Sequence, residues 1–260
     1  MATDIVLSMK EELRTRILSG DLSDLAHANF SSLDLSGIDF SKADLRGANF
    51  WEANLTATRF LGTNLTEADL RGADLTGADL VGARMSHAML LRAKLAGANL
   101  IGVQLDRADL EEANLQRANL QGAYMRQVNG QHANFAGATL SGARMERSKL
   151  AHANLQGANL TDANLQNANL NGVNLSGTRM MRANLQDADL TRANLSGANL
   201  TRAYFGKTNL EEAVLTGADL TGCDLSDSHL KGTVFTGVLY NDKTGWPQGF
   251  DPKAAGAVPT

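Results

Sequence analysis

Residues 153–172 read ANLQGANLTDANLQNANLNG, four copies of a five-residue unit in which Ala, Asn and Leu keep their places while the last two positions vary. The unit extends far beyond this stretch. Large apolar residues fall on every fifth position from Phe30 to Tyr240: of 43 such positions 30 are Leu, seven Phe, four Met and one Tyr, and Gly130 alone breaks the series. Two residues earlier stands a small residue, Ala at 29 of the 43, with Leu33 and Ile38 as early exceptions. Between them sits mostly Asn or Asp, and Gly is frequent at the end of the unit. Such fixed-period self-similarity is the signature of a repeat architecture.

An α-helix would rotate residues five apart by about 140° and smear the leucines around its surface. A flat strand would send alternate leucines to opposite faces. The pattern needs a backbone that turns by a fixed amount every five residues, so that Leu and the preceding small residue point inward and three positions point out. That is a solenoid coil, with a core of side chains stacked along its axis. Gly130 is expected to leave a void or distortion between Leu110 and Leu150, which Gly130→Leu would fill.

The composition agrees. Only 5% of the 260 residues are aromatic and 3 are Pro, against 25 Gly, which argues against an ordinary globular core. A hydrophobic content of 43% with a net charge of −4 excludes a disordered chain. One cysteine, Cys223, cannot form an internal disulfide, and it occupies a small inward position. There is no CxxC or HExxH spacing, and no cofactor or metal is expected. No apolar run approaches the ~18 residues of a membrane span, and the opening residues order their charges wrongly for a secretory signal. The expectation is a soluble cytoplasmic protein with no membrane contact.

The unit A-(N/D)-L-x-x, as in Ala73-Asp74-Leu75-Thr76-Gly77, resembles the pentapeptide-repeat family over roughly residues 26–240. The C-terminal tail is similar to those of members common in oxygenic photosynthetic bacteria. The resemblance implies an all-β solenoid, a right-handed four-sided β-helix with four units per coil and about 11 coils at the ~4.8 Å strand spacing. Phe30 should then stack on Phe50, and Phe40 on Phe60. The expected organisation is an N-terminal helical cap over 1–25, the β-helix over 26–240, and a C-terminal cap and tail over 241–260. Ile5, Val6, Met9, Leu13 and Ile17 carry the helical spacing, with Asp4 as N-cap and Gly20 as stop. Trp246 and Phe250 are placed to close the last coil.

With 20 residues per coil the exterior reads as columns. The side centred on Leu35 ends its units in Gly almost throughout and is flat. The next side, centred on Phe40 and Phe60, carries Leu61, Val81 and Ile101 as three consecutive outward residues beside Gly62, Gly82 and Gly102. This apolar stripe is the first candidate interaction surface. The side of Leu45 and Met85 gathers Arg84, Arg107, Arg126, Arg144 and Arg147, moderated by Asp106 and Glu146, and is the second. No aromatic platform is expected beside these arginines, because Tyr124 and Tyr204 are four coils apart. The fourth side aligns Arg92 with Glu112, Arg192 with Glu212, and His132 with His152.

No catalytic residues are expected, for lack of an acid–base pair in a concave site. The functional expectation is a non-enzymatic scaffold that presents flat and charged sides to a protein partner or to a second copy of itself. The alternative is a DNA mimic that engages a topoisomerase such as gyrase, a role some pentapeptide-repeat proteins play. That role asks for a strongly acidic surface, which a net charge of −4 and a basic side do not supply. Nucleic acid is disfavoured as a partner on the same mildly acidic balance.

Overall fold

The computed structural model describes Glu12 and residues 15–260. From Asn29 onward the outward residue before each large apolar position forms a parallel bridge to its equivalent 20 residues later, as in Asn29↔Asn49, Asn114↔Asn134 and Asn194↔Val214. Four pentapeptides therefore make one coil, and the coil has four sides. Each side contributes a single bridged residue between turns, so almost none of it qualifies as a strand. Among the described residues, strands proper occur only at the C-terminal end, where β1 (Leu239–Tyr240) pairs in parallel with β2 (Val258–Pro259).

The unit satisfies its own backbone donors, which is why three of its five positions are fixed. In the unit Ala153–Gly157, Asn154 N–H donates to Ala133 C=O in the coil before (2.9 Å), whereas Leu155 and Gly157 donate to Asn174 and Ser176 in the coil after (2.8 and 2.9 Å). The Ala158 N–H closes a turn onto Leu155 C=O (3.0 Å). The remaining donor, Gln156 N–H, goes to the side-chain Oδ1 of Asn154 (3.2 Å). Asn or Asp is thus an Asx-turn residue, holding the one amide that the coils do not use.

The turn has type II geometry, with φ positive only at its second central residue. Gly is suited to that position, yet Ala57, Arg117, Glu112 and many other residues with side chains adopt it, with φ of 54°, 56° and 56° at these three.

The core is a continuous column of the fifth-position side chains with Ala in the corners. Phe30 stacks on Phe50 with ring centroids 4.7 Å apart, and Phe40 on Phe60 at 5.5 Å. Where Thr, Ser or Cys replaces the inward Ala, its hydroxyl or thiol usually donates to a carbonyl of the coil before, as Thr63 does to Phe40 C=O (2.7 Å).

The expected void at Gly130 is not there. Its backbone is regular, with its N–H on Lys149 C=O (2.7 Å), but a Cβ at this position would stand 2.9 Å from Leu150 Cδ2 and 3.6 Å from Phe135 Cε2. Phe135, one corner further along the same coil, and Leu150 in the next coil have taken up the space. The missing side chain is compensated by a larger neighbour, so filling the site with Leu would overpack it.

At the N-terminal end, Glu12 and Thr15–Leu18 are helical and Ile17 is buried against the core. Gly20 follows with φ +85°. The other residues of the expected helix, Asp4, Ile5, Val6, Met9 and Leu13, lie outside the described residues. At the other end the chain leaves the 20-residue register, with Asp224 bridging Gly245 and Leu239 pairing with Val258. Trp246 stacks on Phe250 (5.1 Å) and meets Phe235 and Tyr240 edge-on (5.6 and 5.7 Å).

Candidate functional site

Leu61, Val81 and Ile101 stand in one column on one side, as the register requires. Leu61 and Val81 are half-buried, and Ile101 is 37% exposed. Beside them Gly62, Gly82 and Gly102 hold φ of 62–64° and have nothing near the place of a side chain, so the flank is bare. A second apolar group, which the sequence reading missed, lies two sides away: Trp51 is 45% exposed, Met89 is exposed, and Leu91 is half-buried. Trp51, Met89 and Leu91 replace polar residues in outward columns, which is the signal that would have found them.

The five arginines share one side and are not equivalent. Arg126 is spent on Asp106 of the preceding coil, with Nη2 2.8 Å and Nε 3.3 Å from its carboxylate. That hydrogen-bonded carboxylate raises the Arg126 guanidinium above its ordinary value. Arg107 Nε donates to the neutral Gln127 side chain (3.0 Å) and forms no ion pair among the described residues. Arg144 lies over the Tyr124 ring, its Cζ 4.9 Å from the centroid. An aromatic platform therefore does accompany the cluster, contrary to expectation. The pairing that matters is Tyr124 with Arg144 directly above it, not Tyr124 with the distant Tyr204.

A groove of roughly 590 Å³ follows this side, running from Ser86 and His87 past Arg107 and Arg147 to Gln166 and Asn167. Glu146 sits within it, one oxygen accepting from Asn164 Nδ2 (2.8 Å) and the other buried with no partner among the described residues.

On the fourth side Arg92 binds Glu112 (2.7 Å) and Arg192 binds Glu212 (2.7 Å), the arginine in each case drawing the glutamate below its usual range. The His132 and His152 rings stack at 5.3 Å. Glu112, the carboxylate nearest them in the column, is already held by Arg92, and the described residues contain no cluster of His, Cys, Asp and Glu arranged to hold a metal ion. Cys223 is buried, donates to Leu200 C=O (3.0 Å), and has its thiol pushed up to about 12 by desolvation. No helix among the described residues is long and apolar enough to cross a membrane.

Among solved structures, the chain is similar to HetL, a pentapeptide repeat protein involved in heterocyst differentiation regulation from the cyanobacterium Nostoc sp. strain PCC 7120. The two share 34% identity over 92% of this chain and 98% of that one, with a TM-score of 0.41. A pentapeptide repeat protein of the Arabidopsis thaliana thylakoid lumen also shares 34% identity, over 40% of this chain and 66% of that one, at a TM-score of 0.30. Full-length QnrB1, a plasmid-mediated fluoroquinolone resistance protein, shares 18% over 90% and 94%, at 0.28. No curated protein is detectably similar in sequence. The family model for pentapeptide repeats matches in 8 copies, over residues 23–62, 53–90, 93–129, 131–165, 158–197 and 198–237. The matched residues are those whose five-residue register builds the four-sided coil, and the chain belongs to the pentapeptide repeat family.

Proposed function

We propose that this protein is a non-enzymatic scaffold whose apolar stripe, Leu61, Val81 and Ile101, is a contact surface for a protein partner. The observation that supports this most is the bare flank at Gly62, Gly82 and Gly102, which leaves three aliphatic side chains partly wet on a flat side. Other residues of the same column, Ser41, Ser141 and Thr161, are polar, so the position does not demand an apolar residue. Burying three such side chains against a partner contributes a few kcal/mol before association costs are subtracted. In the same reading residues 1–25 and 241–260 shield the two ends of the column, where an uncovered coil would expose core and unpaired backbone. DNA mimicry has no observation in its favour, because the most distinctive charged side is basic.

The test is a triple change of Leu61, Val81 and Ile101 to Ser, with the fold checked by circular dichroism. Partner capture from a native lysate and sedimentation should both be measured against the parent chain. Weaker capture or weaker self-association is expected. If neither changes, the stripe is tolerated exterior and the arginine side becomes the better candidate.

A further inference from the structure

The basic groove coincides with a lapse in the repeat. In its outward column the Asx position reads Arg84, Gln104, Tyr124 and Arg144, four successive coils without Asn or Asp. No other outward column of this kind loses the residue for more than two coils in a row. The lapse leaves backbone amides open. The N–H groups of Ser86, Asp106 and Glu146 have no acceptor among the described residues, whereas in ordinary units the Asx oxygen takes that amide. Each forgone hydrogen bond works against the fold, so a run of four needs a reason other than stability.

The exception within the run shows what the open amides accept. Arg126 N–H, which has Tyr124 where its Asx oxygen would be, is taken by the carboxylate of Asp106 (2.8 Å), and the same carboxylate receives the Arg126 guanidinium. One carboxylate thus binds one free amide and one arginine of this side. Equivalent amides at Asp106 and Glu146 are open, with Arg107 and Arg147 following them in the chain and Arg144 propped over Tyr124.

We propose that this groove binds an acidic, extended peptide of a partner protein, each of two carboxylates taking an open amide and an arginine. The amides of Asp106 and Glu146 are two coils apart, ~9.6 Å at the usual strand spacing. A polyproline II segment repeats every three residues at ~9.3 Å, so the matching peptide carries its acids three residues apart on one edge. The groove is also lined by Asp106 and Glu146, whose carboxylates can meet the N–H groups of a peptide. These acids argue against nucleic acid, whose backbone offers negative oxygens and no donor there. This goes beyond the stripe and rests on the scaffold reading only in taking the partner to be a protein. The triple Ser change leaves the groove intact, so the two can fail separately.

The test uses the full chain and fluorescence anisotropy at low salt. The probes are a labelled peptide of four Glu-Pro-Pro repeats, a peptide with the same four Glu in alternation with Pro, and a single-stranded DNA of equal charge. The first should bind at least about tenfold more tightly than either comparator. The double change Arg107→Gly and Arg147→Gly removes two charges at positions of positive φ, where Gly is favoured, so the fold is retained, and it should weaken binding at least about tenfold. Gln104→Asn restores the Asx residue that would take the Asp106 amide, and it should weaken binding while raising the urea midpoint. The proposal is overturned if the first peptide does not bind at millimolar concentration, if the alternating peptide or the DNA binds as well, or if the arginine variant binds unchanged.

Discussion

At Ala57 and Gly77 the same turn position, one coil apart in one column, is filled by different residues with nearly the same backbone, φ 54° and 66°. A side chain in this left-handed region costs about 1–2 kcal/mol, a cost Gly escapes. Ala57→Gly should therefore raise the stability by roughly 1 kcal/mol, and Gly77→Ala, which meets no neighbouring atom, should lower it by about as much. Urea unfolding of the two variants measures both signs. Gly130 is a different case, since its φ is ordinary and its neighbours are close. Gly130→Leu should cost about 1–3 kcal/mol through overpacking. Phe135→Leu in that background should recover part of the loss, because the two side chains share one space. Additive effects in the double-mutant cycle would show that they do not.

At the scale of the unit and the coil, the Asx residue and its neighbours also set the response to acid. Asp69 is hydrogen-bonded by the Arg71 guanidinium, and Asp224 by Ser226; both are held below the ordinary aspartate value. A carboxylate lowered on folding stabilises the fold above its unfolded value, about 4, and loses that contribution as pH falls through the folded one. The urea midpoint should hold between pH 7 and 5 and decline below about pH 4, with a shallower decline in Asp69→Asn. A midpoint that rises on acidification would contradict these assignments. At the C-terminal end the last turns of chain contain all 3 prolines, Pro247, Pro252 and Pro259, the last within β2. A proline has no N–H to offer another coil, so this end is poorly suited to stacking on a second rod.

At the scale of the whole molecule, two sides with different chemistry lie on one rigid frame, an apolar stripe on one and a basic groove on another. The five-residue clock was legible in the chain from residues such as Leu155, Leu160 and Leu165, and it dictated which side chains are inside, because no regular helix or strand can bury every fifth residue on one side. The columns followed once 20 residues per coil were assumed, so the stacking of Phe30 on Phe50 and the pairing of Arg92 with Glu112 were readable too. Contacts that depend on side-chain conformation were not. Phe135 turning into the space of Gly130, Asp106 reaching up to the Arg126 amide, and Arg144 settling over Tyr124 each involve a choice among rotamers that neighbouring coils make together. Sequence alone determined the period and the core, since those follow from backbone geometry repeated without interruption. The surface columns also needed the four-sided coil, which the family resemblance implied and the 20-residue bridges show. Tertiary structure decided how the exceptions to the repeat are compensated, because an exception is accommodated by whichever neighbours across the coils have room and a free hydrogen-bonding group.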